Sequence, residues 1–307
     1  KGITSQNVSD NINIRGGNPM KQQFGCCLWF NGHLSEAADF YSSTFEDSRI
    51  VNQTHFITDE HGEIGDLLTI TLELAGCEFL LLNGGDDFSP SPAISYVVNC
   101  ENEEQLLNVW KQLNQDGETL MPLTDYPELG KFGWTNDRYG FSWQVRLGEN
   151  LQTIIPCIMF ANNNYGLAQA AIDEWVAIFG GKQTFVIKGK EDRLRASGFQ
   201  LRGHDLIIMD SPEKHTFTFT MANSFYFYFK DQTDIDKVWE AITYDGKEWP
   251  CGWMEDRYGV FWQTLNKDLL NWTNSSDSEK ARRATQEMYK MKKINLAQIK
   301  QAFDGTN

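Results

Sequence analysis

Residues 133–144 (GWTNDRYGFSWQ) and 252–263 (GWMEDRYGVFWQ) agree at eight of twelve positions and gather the groups best suited to hold a ligand. Each carries a carboxylate (Asp137, Asp256), a guanidinium (Arg138, Arg257) and a closing amide (Gln144, Gln263). The arginines could clamp an anion in a two-pronged fork, or pair with nearby acids. The amides could each orient one ligand through their donor and acceptor ends, or satisfy buried backbone. A nucleophile is harder to find. The six cysteines (Cys26, Cys27, Cys77, Cys100, Cys157, Cys251) form no CxxC pair and no metal-finger spacing. No local His or Lys is placed to activate Cys26, so it reads as a structural thiol. The five histidines (His33, His55, His61, His204, His215) fall in turns and strand ends without paired ligand spacing.

The chain has 307 residues, more than one small core usually holds, and the repeated dodecamer points to tandem organisation. Its formal charge is 27 − 42 = −15, which disfavours nucleic acid and anionic membranes as partners. Residues 277–304 are the exception, with seven Lys/Arg against four Asp/Glu. No apolar run reaches the length of a membrane span and no signal peptide is visible. Free thiols in apolar runs fit a reducing compartment, so the expected location is cytoplasmic. Residues 1–19 are polar and aperiodic and read as a leader or tag.

The elements that must position these groups recur in quarters. Residues 24–30 (FGCCLWF) are a strand. Leu34, Ala37, Ala38, Tyr41 and Phe45 then fall at helical spacing over 35–45, and three strands follow, the last two joined at Ala75-Gly76. A second unit repeats the pattern from residue 93, with a helix over 103–115 ended by Asp116-Gly117, an insertion at 120–131, and a closing hairpin turned by Asp137-Arg-Tyr-Gly140. The later half repeats both units, so the expected domains are 20–148 and 152–266. A helical C-terminal tail occupies 267–307; its helix starts at Ser276-Asp277-Ser278-Glu279 and carries the stripe Ala281, Ala284, Met288, Met291.

With CLWFNGHLSEAADFYSSTF at the front, LAGCEFLLLNGG in the hairpin and GW..DRYG..WQ at the end, the chain resembles the PhnB-like branch of the vicinal oxygen chelate superfamily. That superfamily includes glyoxalase I, bleomycin and fosfomycin resistance proteins and extradiol dioxygenases. The resemblance covers about residues 24 to 265. It implies an α+β fold of tandem glyoxalase-like domains, each of two βαβββ units, with sheets curled around a cavity and helices outside. It leaves open whether each domain closes its own cavity, the two domains share them, or two chains exchange units; open strand edges favour a homodimer.

In metal-using members, inward His and Glu side chains come from the first, third or fourth, fifth and last strands. Counting from Asp39-Phe-Tyr41 puts these positions on Cys26, Glu73, Ala93 and Gln144, and in the second domain on Pro156, Gln200, Ala222 and Gln263. Ala and Pro have no donor and Gln is neutral, so the expectation is degraded metal sites and no cofactor, a divalent metal being the alternative. Alternation is taken to put Cys26, Leu28, Phe30, Ser142, Gln144 and Arg146 on the cavity wall, with Trp29 and Trp143 toward the helices. The second domain offers Pro156, Ile158, Phe160, Phe261, Gln263 and Leu265.

Three functions compete. One is a small-molecule-binding protein like the resistance and sequestering members. The second is a glyoxalase-like or dioxygenase-like metalloenzyme. The third is a structural protein with cavities filled by aromatic residues such as those of SFYFYF, and a tail that recruits a partner. Methyl transfer, a label often attached to this branch, finds no support: Asn83-Gly84-Gly85 is not a strand-to-helix loop for S-adenosylmethionine.

Overall fold

The computed structural model describes residues 24–148, 151–189 and 192–306; the expected leader lies outside the described residues. The first quarter is β1 (Phe24–Phe30), α1 (Leu34–Thr44), β2 (Ser48–His55), β3 (Leu67–Leu74) and β4 (Cys77–Asn83). The second is β5 (Ile94–Cys100), α2 (Glu103–Asn114), β6 (Glu118–Tyr126), β7 (Gly130–Asn136) and β8 (Ser142–Leu147). The third is β9 (Thr153–Phe160), α3 (Ala168–Phe179), β10 (Gly181–Lys188), β11 (Leu194–Leu201) and β12 (His204–Asp210). The fourth is β13 (Asn223–Phe229), α4 (Gln232–Thr243), β14 (Lys247–Glu248), β15 (Trp253–Glu255) and β16 (Phe261–Asn266). Helices α5 (Lys267–Thr273), α6 (Ser278–Tyr289) and α7 (Leu296–Asp304) end the chain.

The quarters pair crosswise. Sheet A runs β14-β15-β16-β13-β1-β4-β3-β2, and sheet B runs β10-β11-β12-β9-β5-β8-β7-β6. Each eight-stranded sheet therefore takes one quarter from each repeat: one with four, and two with three. At the centre of each, two antiparallel strands meet, β1 on β13 and β5 on β9. The remaining contacts to these central strands are parallel, so both sheets are mixed and neither closes into a barrel.

One face of each sheet builds the core. Leu34, Ala37, Ala38 and Tyr41 of α1 pack there, as do Leu106, Val109 and Leu113 of α2, Trp175 of α3 and Trp239 of α4. Phe79 of sheet A meets Tyr96 and Trp143 of sheet B at ring separations of 5.0 and 5.9 Å, so the sheets stand back to back. Side chains this large contribute roughly 2–3 kcal/mol each on burial, which makes this layer the main source of stability.

The repeated tetrapeptide ties this layer together. Asp137 Oδ1 accepts the backbone N–H of Tyr139 and Phe141 at 2.8 and 3.1 Å, closing the turn, while Gly140 takes φ 86°. Its Oδ2 accepts Tyr41 Oη at 2.7 Å and Trp143 Nε1 at 2.8 Å. Asp256 repeats the arrangement with Tyr258 and Val260, and with the indoles of Trp175 and Trp262, both at 2.9 Å. Burial still pushes both carboxyls up to about 6 against these donors. Arg138 and Arg257 do not pair with these aspartates: Arg138 reaches Asp116 at 3.6 Å and Arg257 reaches Glu174 at 2.6 Å.

The tail packs on sheet A. Asp277 caps α6 by accepting Lys280 N–H, and the chain beyond it receives the N–H of Cys251 and Gly252 on the carbonyls of Met291 and Lys292. At its other side Tyr289 meets His61 edge-on at 4.6 Å, so the tail joins the β2–β3 loop to the fourth quarter. The insertion at 120–131 lengthens the β6–β7 hairpin at the sheet edge, where Pro122 is tolerated for want of a ladder partner.

Candidate ligand-binding clefts

The faces of the two sheets that turn away from the helices carry the polar groups. In sheet A, Cys27 and Ser224 stand opposite each other across β1 and β13, and Gln263 from β16 donates Nε2 to Ser224 Oγ at 2.8 Å. In sheet B, Cys157 and Ser95 stand opposite across β9 and β5, and Gln144 from β8 donates Nε2 to Ser95 Oγ, also at 2.8 Å. Each thiol stands across the ladder from its Ser, whose hydroxyl oxygen accepts the Gln amide. The same three residue types are thus built twice, each set drawing on both repeats.

Burial pushes the Cys27 thiol up to about 11 and the Cys157 thiol up to about 12, so both are protonated at neutral pH. A thiol, a hydroxyl and an amide are neutral donors and acceptors. They suit the oxygens of an organic ligand, whereas a divalent ion asks for thiolate, imidazole or carboxylate. Among the described residues no group of three His, Cys, Asp or Glu is placed to hold a metal ion. A protonated thiol, a hydroxyl and a neutral amide in these two sets do not supply the donors that a divalent metal requires.

Beyond these sets the clefts diverge. In sheet A the wall is aromatic: Trp29 and Trp253 approach to 6.0 Å, and Trp29 also meets Phe88 at 5.1 Å. Tyr226 lies across Gly25, where any Cβ would strike its ring, and donates its hydroxyl to Glu78 at 2.7 Å. Tyr228 donates to the same carboxylate oxygen at 3.1 Å, and burial raises the Glu78 carboxyl above its ordinary value. In sheet B, Val97, Ile155, Ile207 and Met209 form the apolar wall, and Trp134 hands its indole N–H to Ser142 at 2.7 Å. Arg146, paired with Asn99 in the β5–β8 ladder, donates Nε to Asn99 Oδ1 at 2.7 Å. A cavity of about 480 Å³ is lined by Met159, Ala161, Phe217 and the turn carrying Arg257, and not by Gln144, Ser95 or Cys157.

The structure sorts the residues expected on the cavity wall into two groups. Ser142, Gln144, Arg146, Phe261, Gln263 and Leu265 face the clefts, as does Glu73, which lies beside Glu78 and is held by Arg49. Cys26, Leu28, Phe30, Ile158 and Phe160 do not: they are buried in the helix-covered core with Tyr41 and Trp175. Pro156 stands opposite Tyr96, in register with that core. Trp29, expected on the helix side, faces the cleft. The phase of β1 and β9 is opposite to the expectation because both strands are buried on both faces, so alternation carries no polar signal. Ala93 borders the cavity of about 480 Å³ and brings no polar side chain to it. The residues missed are Cys27, Cys157, Ser95 and Ser224. Aligning FGCCLWF on IIPCIMF superposes the two cysteines, and aligning AISYVV on ANSFYF superposes the two serines.

The family whose pattern matches residues 22–146 and again 152–265 is described as 3-demethylubiquinone-9 3-methyltransferase. The chain belongs to this family. It carries the family's unit twice, within the glyoxalase-like vicinal oxygen chelate fold. A PhnB protein from Bacillus cereus, titled a putative 3-demethylubiquinone-9 3-methyltransferase, is 40% identical over 41% of this chain and 100% of its own, with a TM-score of 0.39. Glyoxalase I from Zea mays aligns over 80% of this chain and 92% of its own, at 11% identity and a TM-score of 0.52. A point mutant of that enzyme gives 10% identity and a TM-score of 0.53 over the same shares. At that identity the likeness establishes the fold. No curated protein matches the chain.

Proposed function

We propose that this protein binds a small organic molecule on the helix-free faces of its sheets, without a resident metal, in the manner of sequestering members of its superfamily. The observation that carries this reading is the duplicated Cys–Ser–Gln set, neutral and hydrogen-bonding, at the base of an apolar wall. Apolar walls with a few fixed polar groups describe a ligand pocket. Gln144 and Gln263 supply the orienting amides, with Ser142 and Phe261 beside them on the last strands. The residues at the family's metal positions are in this reading degraded ligands.

The family's printed description names a methyl transfer. Asn83-Gly84-Gly85 serves another purpose here: Trp29 Nε1 donates to Gly85 O at 2.8 Å, and a Cβ on Gly84 would strike the indole. No helix follows this loop before β5, so no helix N-terminus is offered to the charged tail of S-adenosylmethionine.

N-phenyl-1-naphthylamine, a neutral probe whose fluorescence rises in apolar sites, tests the reading. Saturable binding that Gln144→Ala weakens about ten-fold, the size of one lost buried hydrogen bond, supports it. Absence of saturable binding to the intact chain refutes it. Calorimetric binding of S-adenosylmethionine would favour the methyl-transfer reading instead.

A further inference from the structure

The two clefts differ in charge on their last strands, whereas both keep an acid on the hairpin strand, Glu78 in sheet A and Asp205 in sheet B. Gln144 and Gln263 are equivalent, and two residues further along their strands stand Arg146 in sheet B and Leu265 in sheet A. We infer that the sheet B cleft selects a ligand with an apolar body ending in a carboxylate, which Arg146 receives.

Arg146 is only partly exposed, and it lies on the cleft side of β8, the side of Gln144 and Cys157. Its Nε is committed to Asn99, which in turn donates Nδ2 to Thr153 Oγ1 at 2.9 Å, so the guanidinium is held in one orientation. Among the described residues no carboxylate forms an ion pair with it. Burial pulls its pKa down to about 10, which leaves it charged at neutral pH. A half-buried cation with no acid partner among the described residues, on a chain of net charge −15, is an unfavourable arrangement unless something anionic completes it. The guanidinium's two terminal nitrogens present the fork that matches a carboxylate. A dianion would meet the chain's negative field with one cation to offset it, so a monoanion fits better.

The rest of the ligand is set by the wall. Gln144 lies one inward step from Arg146 on the same strand, and Met209 Sδ is 3.9 Å from its amide nitrogen. Ile155, Ile207 and Val97 continue the apolar surface. Sheet A cannot take the same ligand. Leu265 replaces the cation, Tyr226 lies over Gly25, and Trp29 and Trp253 pack edge to face at 6.0 Å on this face. Among the described residues, sheet B alone therefore combines the amide with a cation.

This inference rests on the small-molecule reading, and one displacement experiment separates the two. Bound N-phenyl-1-naphthylamine is competed off with decanoate and with 1-decanol, on the intact chain and on Arg146→Met and Arg146→Lys. Decanoate is expected to displace the probe, one per chain, at a concentration about ten-fold or more below that of decanol. Arg146→Met is expected to erase the preference while the neutral probe still binds, which also shows that the variant is folded; Arg146→Lys retains part of it. Equal potency on the intact chain, or a preference surviving Arg146→Met, overturns the carboxylate assignment and leaves the small-molecule reading standing. Failure of the probe to bind at all removes both.

Discussion

Tyr41 donates its hydroxyl to Asp137 at 2.7 Å, from a helix packed on sheet A to a turn of sheet B. Trp175 makes the mirror bond to Asp256, from sheet B back to sheet A. These two carboxylates explain why one tetrapeptide is written twice. The sheets run across the repeats, and the aspartates tie each repeat together between them.

Removing either carboxylate leaves two buried donors and one turn without an acceptor. Asp137→Ala and Asp256→Ala are each expected to lower unfolding free energy by about 2–4 kcal/mol. Urea denaturation measures it. A loss below about 1 kcal/mol would mean that the knot is incidental to the fold.

The same groups give a pH dependence. Their folded value, about 6, lies above the usual aspartate value of about 3.9, so the folded chain binds these protons more tightly. Their contribution is complete below about pH 4 and is lost as pH rises through 6, roughly 2–3 kcal/mol for each group. The Asp137→Asn/Asp256→Asn chain should show a flatter stability profile than the parent between pH 4 and 7. Parallel profiles would place the protons elsewhere.

Cys27 and Cys157 are buried and held protonated. Both should react with an aromatic disulfide at pH 8 far more slowly than a free thiol, by about a hundred-fold or more, and at ordinary rates once the chain is unfolded. Rapid labelling of either, located by peptide mass spectrometry, would contradict the neutral character assigned to the clefts.

The tail contributes buried Ile294 and Ile299 as well as the two carbonyls that receive Cys251 and Gly252. Deleting residues 275–307 should cost about 2–5 kcal/mol. An unchanged denaturation midpoint would show that the tail is free to serve a partner.

Much of this architecture could be read from residue order. The helical stripes of α1 and α2, the hairpin at Ala75-Gly76 and the turn at Asp137 all follow from local periodicity and turn chemistry, which neighbours in sequence decide. Crosswise pairing could not be read, because β1 meets β13 across nearly two hundred residues and any of the central strands is apolar enough to pair with another. The amides Gln144 and Gln263 were legible because polar residues alternate on β8 and β16. The phase of β1 and β9 was not, because both faces are buried, and only the superposed cysteines and serines of the repeats mark the inward side.

The central claim is that neutral side chains, and no metal, hold the ligand. Its most direct test is to purify the chain without chelator, soak it separately in nickel, zinc, manganese and ferrous iron, desalt it, and count metal per chain by plasma mass spectrometry. The account predicts far less than one equivalent of every metal. One tightly held equivalent of any of them would contradict it and move attention to glyoxalase-like or dioxygenase-like chemistry.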